Sequence, residues 1–462
     1  MRSTFLGFET ARRGIAANQK GLDITGQNMT NVNTEGYTRQ RLDLVSLSGS
    51  SRDRFRSIGV SNVGQGVLTT GVSQIRNEFL DARFRNENAH TSYFDSALSI
   101  LNSTETVLNE ISSGFKPLIS GLVTALHGFA QFPDQTTQAN VVKTSTKSFV
   151  DMLNHVSSQL SQVKNQYETD LKVEVNDLNQ QLIGIKNLNE SISNLMMHDP
   201  QAINTTVVNE LLDQRNVAVD NLSKFFNISV KNESDSTITI SVNDHIVVSK
   251  ETTEQINMFS HEDGSVQLRW QTNGNPMLMT SGSMKANLDY INGQSGDIKG
   301  IPYYQKQIDV LAQTFASTMN QAFSNSDSTK KTLIEFDASS PASTMKLSAQ
   351  FDLNPRYIIS DGVGSNNLDN TAIHQLIQAL EQDQDFNGFT GSFSDHIEQY
   401  VVTLAQDISF YESRLNVSIA IVHDIQQHRD SISGVSLDEE GAELMKYEKA
   451  YKAIARLMTT MD

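Results

Sequence analysis

The chain closes with GVSLDEEGAELMKYEKAYKAIARLMTTMD, residues 434–462, and this stretch repeats apolar residues in alternating steps of three and four. Such spacing, held over about three heptads, is typical of a coiled-coil helix. Glu440 is the only charged member of the stripe, whose apolar members are Leu437, Leu444, Tyr447, Tyr451, Ile454, Met458 and Met461. No further helical pattern follows, so we expect this stripe to be covered by a segment distant in the chain.

The N-terminal stretch, residues 5–32, has the same geometry. Asn18 and Thr25 are the polar members of its stripe, and the apolar members are Phe8, Ala11, Ile15, Leu22, Met29 and Val32. Two helices that each have one apolar face predict a pair, formed within one chain or between subunits. The alternative is two ordinary surface helices of a globular domain.

A turn-rich segment, NVNTEGYTRQ at residues 31–40, follows the first helix. Gly36 suits a position that needs a positive φ. Asn28 and Asn31 either cap the helix end and its turn or make a polar assembly contact, in which Tyr37 and Arg39 are further candidates. Residues 42–73 then alternate between polar and apolar positions around glycines, which predicts extended chain.

The middle of the chain predicts a rod of helices. A helix that begins near residue 75 should end near Gly114 and Pro117, where a second helix begins and runs to Gln131. The next apolar stripe runs from Phe149 to Ile185, and its phase shifts at Leu171, as a heptad discontinuity requires. That helix of roughly 60 residues would span ~90 Å at 1.5 Å per residue. Asp213 and Arg215, on a further helix, either pair with neighbouring helices or remain solvated.

A period of two replaces the helical pattern at residues 228–282. The segments ISV, TITISV, HIVVS and SVQLRW predict a small β-rich domain, with Trp270 in its core. The segments LIEFDA and MKLSAQF predict a hairpin near residues 333–351. Helical patterns return at residues 301–323, 371–380 and 393–432, so the layout is nested around the β-rich part.

These patterns occur together with a resemblance to a known family. The stretch GLDITGQNMTNVNTEGYTRQRLDL, residues 21–44, resembles the conserved N-terminal segment of bacterial flagellar axial proteins, and residues 434–460 resemble their closing segment. The stretch NELLDQRNVAVDNLSKFFNISV, residues 209–230, is similar to the first hook-associated protein family. Two departures are Glu35, where the family usually has Pro, and Gly441, where a larger residue is usual.

The resemblance implies a mainly α, elongated, multi-domain axial protein with a β-rich insert. Its terminal coiled-coil helices would pair at one end, a long helical bundle would form the rod, and the small β domain would lie at the other end. The expected domains are residues 1–74 with 401–462 for assembly, 75–227 with 300–400 for the rod, and 228–299 for the outer β domain.

The resemblance also implies a function at the flagellar hook–filament junction. The expected partners are further copies in a ring of about eleven subunits, the hook protein, the second junction protein (hook-associated protein 3), and an export chaperone on the C-terminal helix. The terminal apolar residues and the turn at residues 28–39 would carry the assembly contacts. We expect an extracellular protein, secreted by the flagellar type III route without a cleaved signal peptide, whose termini fold on assembly.

Composition and the absence of known motifs exclude several classes of site and partner. The chain has no Cys, which excludes disulfides and thiolate metal sites. Residues 1–85 have a small excess of basic residues, but these are not interleaved with stacking aromatics, so we do not expect nucleic acid as a partner. No apolar run approaches the ~20 residues of a membrane span. No catalytic, cofactor or metal motif is present, so we expect no enzyme. The alternatives are a secreted adhesin or enzyme that acts through its β domain, and a hook or rod subunit.

Overall fold

The computed structural model describes residues 4–47, 65–198, 205–296, 298–324, 332–359 and 370–461. The helices are α1 Thr4–Thr30, α2 Glu78–Gln131, α3 Thr136–His198, α4 Thr206–Phe225, α5 Ser283–Asn292, α6 Ile301–Ser324, α7 Pro341–Thr344, α8 Ala349–Leu353, α9 Thr371–Glu381, α10 Phe393–Ser433 and α11 Leu437–Met461, with a 3-10 turn at Pro355–Ile358. The strands are β1 Gln40–Ser46, β2 Val67–Gln74, β3 Ser229–Asn232, β4 Ile238–Val242, β5 His245–Val248, β6 Ile256–Ser260, β7 Val266–Trp270, β8 Ile334–Glu335, β9 Lys346–Leu347, β10 Gln384–Asp385 and β11 Thr390–Gly391.

Two very long helices form the axis of the molecule. Helices α2 and α3 contain 54 and 63 residues and pack together, and α10 packs along α2. The side chain of Asn77 caps α2 by accepting from the backbone N–H groups of Phe79 and Leu80, and Ser392 with Asp395 forms a capping box on α10. At about 1.5 Å per residue, such helices make an elongated body.

The long helix α3 divides between two apolar cores. Its first half, to Leu160, packs into a core with α2, α6, α9 and the start of α10. From Leu171 onward, the buried residues of α3 pack instead against α4, α5 and strands β3 to β7. The shift of the apolar stripe that the sequence predicts therefore coincides with the change of partner.

The break predicted at Gly114 and Pro117 is wrong, because α2 continues through Pro117. A proline inside a helix removes one backbone hydrogen bond, which packing on both sides can offset. Phe115 and Leu122 are both buried, and the ring of Phe115 lies 5.0 Å from that of Phe149 on α3. Tertiary packing therefore outweighs the local preference for a break.

The β-rich region contains the antiparallel sheets β3-β4-β5 and β6-β7, as the alternating pattern predicts. Trp270 is buried and stacks on His245 at 4.3 Å between ring centroids. The sheets pack on the second half of α3, and Arg215 of α4 contacts Ser236 between β3 and β4. Because Asp213 on the same helix contacts Thr38 near the terminal helices, the β-rich region does not form the end opposite the termini. The predicted placement of this region is corrected accordingly.

The N-terminal extended chain forms a hairpin of β1 and β2. The strands pair antiparallel with an irregularity between Asp43 and Leu44. Leu42 and Val72 pack with Ile24 of α1 into a small core. Farther along the chain, β8 pairs with β9, and both lie beside the core of the rod. The hairpin β1-β2 therefore joins α1 to the body.

Candidate functional site: the terminal helix pair

Helices α1 and α11 pack against each other in antiparallel orientation, in a fixed register. From one contact of this seam to the next, the residue number on α1 increases by seven and the residue number on α11 decreases by seven. The four successive contacts are Gly7 with Met461, Gly14 with Ile454, Gly21 with Tyr447, and Asn28 with Glu440. We call this set the glycine ladder. It joins the two termini of the chain in one heptad repeat.

The glycines let the two helices approach closely. A Cβ atom on Gly21 would lie 2.7 Å from ring atoms of Tyr447, and one on Gly14 would lie 2.9 Å from Cδ1 of Ile454. By contrast, a Cβ on Gly26 or Gly441 would meet no atom within 4 Å. A Cβ at Gly21 would therefore meet a rigid ring, and one at Gly7 or Gly14 would require the end of a flexible side chain to shift, whereas Gly26 and Gly441 have free space.

The apolar residues predicted on α1 lie beside the ladder. Phe8, Ile15, Leu22 and Met29 each follow a ladder position by one residue, and all four are half-buried, as is Val32. Hydrophobic periodicity identifies the large side chains, whereas the seam itself is formed by glycine, which carries no apolar side chain. The sequence therefore predicts the pair and places its α1 seam one residue too far along the helix.

On α11, the predicted stripe is covered on one side only. Leu444, Tyr447, Ile454 and Met458 are half-buried, whereas Leu437 is 51% exposed and Tyr451 is 36% exposed. Among the described residues of α11, Glu440 alone is buried. The residue that interrupts the apolar stripe is thus the most enclosed one of this helix, and no sequence pattern indicates its role.

A buried polar cluster closes the base of the helix pair. Asn28 Nδ2 donates to Glu440 Oε2 at 3.1 Å and to the carbonyl of Gln40 at 2.9 Å, while Tyr37 donates to Asn28 Oδ1 at 2.8 Å. Arg39 Nε donates to Glu440 Oε1 at 2.7 Å. We call these five residues the polar base. They connect the end of α1, the turn after it and the start of α11.

Burial and nearby carboxylates keep Tyr37 in its protonated form. Burial raises the pKa of Tyr37, and the negative charges of Asp213, Glu440 and Glu210 raise it further. The phenol therefore remains a hydrogen-bond donor to Asn28 at every physiological pH. The backbone joins this arrangement as well, because the N–H of Arg39 donates to the carbonyl of Ser433 at 2.9 Å.

The turn between α1 and β1 depends on Gly36. Its φ is +76°, as the sequence predicts, and a Cβ there would lie 2.1 Å from Cγ2 of Val217 on α4. Asn31 stays local: its Nδ2 donates to the carbonyl of Gln27 at 3.0 Å and caps the end of α1. Asn31 therefore caps the helix end, whereas Asn28 contacts Glu440 on α11 of the same chain. The predicted contact of these asparagines with another subunit stays a prediction.

Asp213 fixes the N-terminal segment on α4. Its carboxylate accepts from the backbone N–H of Thr38 at 3.2 Å and from Nε2 of Gln74 at 2.9 Å. Burial raises the pKa of Asp213 to about 6, against the lowering effect of the hydrogen bonds from Thr38. Asp213 thus has defined partners, which lie in extended chain rather than on the neighbouring helix that the sequence suggests.

A chain of ion pairs lies behind the polar base. Arg76 binds Asp81 at 2.6 Å, Arg429 binds Asp81 at 3.0 Å and Asp220 at 2.7 Å, and Arg85 binds Asp220 at 2.7 Å. These residues come from α2, α4, α10 and the link after β2. The ion-pair chain therefore holds the ends of three helices together, and no local sequence pattern indicates it.

The described residues contain no group of three or more His, Asp or Glu side chains arranged to hold a metal ion. Within the same part of the chain, every helix is too short or too polar to cross a lipid bilayer. The site is thus a packing and hydrogen-bonding site, built from the two ends of the chain.

Comparisons with known proteins match these features. Residues 101–329 match the family model "Flagellar hook-associated protein FlgK helical domain". The chain is 27% identical over 504 aligned residues to flagellar hook-associated protein 1 of Bacillus subtilis (strain 168), with 100% of this chain and 97% of the relative covered. The proteins of the same name from Salmonella typhimurium and Escherichia coli are 22% and 21% identical, over 53% of this chain and 43% of theirs.

A solved structure, the flagellar hook junction protein FlgK from Burkholderia pseudomallei, aligns with 53% of this chain and 44% of its own. That alignment has a TM-score of 0.46 and 18% identity. The matched helical domain lies in α2 to α6, and the Bacillus relative aligns from one terminal helix to the other. Over its whole length the chain is similar to flagellar hook-associated protein 1 of Bacillus subtilis, and residues 101–329 match the helical domain of that family.

Proposed function

We propose that this protein is a structural subunit of the bacterial flagellum, at the junction between hook and filament. The observation that carries the proposal is the terminal helix pair. Helix α1 covers one side of α11, and the other side of α11 is exposed in the single chain. Leu437, Met445 and Leu457 of α11 are each more than half exposed, although they lie on a helix packed against α1. Copies of the same chain, arranged in a ring, would cover them.

The composition of the seam supports folding that is coupled to assembly. Three of the four α1 positions in the ladder are glycines, and no apolar residue among the described residues of α11 is fully buried, so the pair buries little apolar side-chain surface. Apolar burial contributes about 25 cal/mol per Å², and an isolated pair with few such side chains is only marginally stable. Contacts with neighbouring subunits would supply the missing burial and order the termini.

The same termini support an export route. Segments that are ordered only on docking can pass a narrow channel unfolded, which fits secretion through the flagellar type III apparatus to the outside of the cell. The exposed apolar face of α11 is also a binding surface for an export chaperone before assembly. The proposed neighbours in the axis are further copies, the hook protein and the second junction protein, hook-associated protein 3.

Two charge substitutions on the uncovered face test the assembly role. We expect Tyr451→Glu and Leu457→Glu to prevent incorporation into flagella and to abolish swimming in a bacterium that lacks its own copy. Both positions are exposed in the single chain, so circular dichroism and thermal unfolding of the purified variants should match the wild type. The matched control is Leu353→Glu, since Leu353 is 87% exposed but lies in the rod.

The proposal fails if Tyr451→Glu and Leu457→Glu flagella assemble and rotate normally, or if Leu353→Glu is equally defective. Chaperone binding is a separate outcome of the same variants. Size-exclusion chromatography of the full chain with its flagellar chaperone should give a complex for the wild type and Leu353→Glu. If the two α11 variants also form that complex unchanged, the chaperone binds elsewhere.

A further inference from the structure

A cavity of about 630 Å³ lies between the start of α2, helix α4 and strands β3 and β4. Arg76, Arg85 and Arg215, from three different segments, all line it, and we call it the arginine cavity. Arg85 and Arg215 are each more than nine-tenths buried. Buried guanidinium groups are destabilising unless negative charge lies close to them.

One arginine of this cavity, Arg215, has no ion pair in the described structure. Asp81 and Asp220 together serve three guanidinium groups, those of Arg76, Arg85 and Arg429. Arg215 has no salt bridge within the described part of the chain. Its Nη1 donates only to neutral acceptors, Asn189 Oδ1 at 3.1 Å and the carbonyl of Ser236 at 2.7 Å.

Two further carboxylates line the cavity and do not supply the missing charge. Glu233 is hydrogen-bonded to Lys231 and Thr239. Glu78 lies in the first turn of α2, and neither residue is within salt-bridge distance of a cavity arginine in the described structure. The lining therefore holds three arginines and three carboxylates, and among these arginines only Arg215 lacks an ion pair in the described structure.

The arginines also have unused hydrogen-bond donors. Nε of Arg215 is buried and has no partner among the described residues. Over the same residues, Arg85 makes one hydrogen bond, from Nε to Asp220 Oδ1 at 2.7 Å, which leaves both of its Nη groups available. Burial lowers the pKa of Arg215 to about 10, and repulsion from Arg85 and Arg76 adds to this effect. The side chain still carries its charge at neutral pH.

We infer that the arginine cavity binds a small tetrahedral oxyanion, inorganic phosphate or sulfate, through Arg85 and Arg215. The planar donor fork of a guanidinium matches two oxygens of such an anion, and the volume accommodates one with its water. The bound anion supplies the ion pair that Arg215 lacks and links α2 to α4. Because Arg215 also contacts Ser236, it fastens the β-rich region to the helical body. This site is independent of the proposed place in the flagellum.

Calorimetric titration of phosphate into the full-length protein tests the inference directly. Direct binding is preferable to thermal shifts, because phosphate and sulfate stabilise many proteins by exclusion from their surfaces. In chloride buffer of constant ionic strength, we expect one saturable site per chain, with sulfate as a competitor. Each hydrogen bond from a charged guanidinium contributes substantially to the free energy of anion binding. Arg85→Gln and Arg215→Gln should therefore each weaken phosphate binding by about tenfold or more.

The matched control is Arg414→Gln on α10, an exposed arginine over the ring of Phe410, and it should bind phosphate like the wild type. Absence of saturable binding to the wild type overturns the inference, as does unchanged affinity in Arg85→Gln. Arg215→Gln also removes the bonds to Asn189 and Ser236, so its fold is checked by circular dichroism. If it unfolds, Arg85→Gln and Arg85→Lys decide the location, with the lysine variant retaining part of the affinity.

Discussion

The terminal pair of α1 and α11 and the body formed by α2, α3 and α10 share a heptad pattern, yet they pack in different ways. In the body the pattern places large apolar side chains in a closed core, such as Phe149, whose ring contacts those of Phe115 and Phe315. In the terminal pair, the seam consists of glycines with a polar base at one end. The body has a closed apolar core, whereas no apolar residue among the described residues of α11 is fully buried.

The largest expected effect lies in the body. Phe149 is fully buried and its ring centroid lies 4.1 Å from that of Phe315, so Phe149→Ala should lower the free energy of unfolding by about 4 kcal/mol. The same truncation in the pair, Ile454→Ala, should cost about 1 kcal/mol, because Ile454 is only half-buried. Urea unfolding of both full-length variants measures the difference. Equal losses would mean that the two regions are packed alike.

The second effect is a pH dependence from Asp213. Its pKa is about 6 in the folded chain, against an ordinary value of about 3.9 for Asp, so the folded state holds this proton when the unfolded state has lost it. Stability from this group is therefore greatest below pH 4 and falls as the pH rises through 6, by about 3 kcal/mol in total. Urea unfolding between pH 4 and 8 should show this fall in the wild type.

The variant Asp213→Asn isolates that contribution, because Tyr37, whose pKa the charge of Asp213 raises, does not titrate between pH 4 and 8. It should show a flatter profile than the wild type over the same range. The asparagine keeps one acceptor for the N–H of Thr38 but repels the donor of Gln74, so its stability at pH 4 should be lower. Parallel profiles for the two proteins would exclude Asp213 as the titrating group.

The third effect concerns the polar base. Glu440→Gln removes the buried charge that Arg39 and Asn28 bind, and the docking of α11 on α1 should weaken by about 2 kcal/mol. Hydrogen exchange of the α1 and α11 amides would report this loss without unfolding the body. Glu448→Gln is the control: Glu448 forms an exposed pair with Lys452, so its loss should leave the exchange of the same amides close to that of the wild type.

The smallest effect separates the ladder glycines from the others. Gly21→Ala places a methyl group within 2.7 Å of the Tyr447 ring, which should destabilise the pair by about 1 kcal/mol. Gly26→Ala and Gly441→Ala meet no atom and should instead stabilise their helices by about 1 kcal/mol, because alanine favours the helix. The same exchange measurement gives all three values. Effects of one sign at all three positions would contradict the ladder.

Sequence periodicity predicted much of this architecture, because the spacing of large apolar side chains along the chain indicates which face of a helix or strand is buried. The stripe of Tyr447, Ile454 and Met461, the long helix α3 and the alternating strands before Trp270 are all of this kind. The domain boundaries stay a prediction. The family resemblance added what periodicity alone does not contain, namely the place of the chain in a flagellar axis.

Other features have no local sequence pattern. Gly14 and Gly21 lie in the seam but have no side chain that a hydrophobic pattern could show. Glu440 is buried because it binds Asn28 and Arg39, which lie some 400 residues away in the sequence. Pro117 remains inside α2 because of packing against α3. The ion-pair chain and the position of the β-rich region likewise depend on contacts between distant segments, which a single sequence does not specify.

Disulfide formation in the monomer tests the glycine ladder most directly. The chain has no cysteine, so Gly14→Cys with Ile454→Cys introduces a single pair, and the smaller residue at 454 makes room for the new side chain. In dilute oxidised protein we predict a rapid intramolecular disulfide, whereas Gly14→Cys with Met461→Cys, one heptad out of register, should remain reduced. Equal oxidation of both pairs, or disulfides formed only between chains, would contradict the ladder.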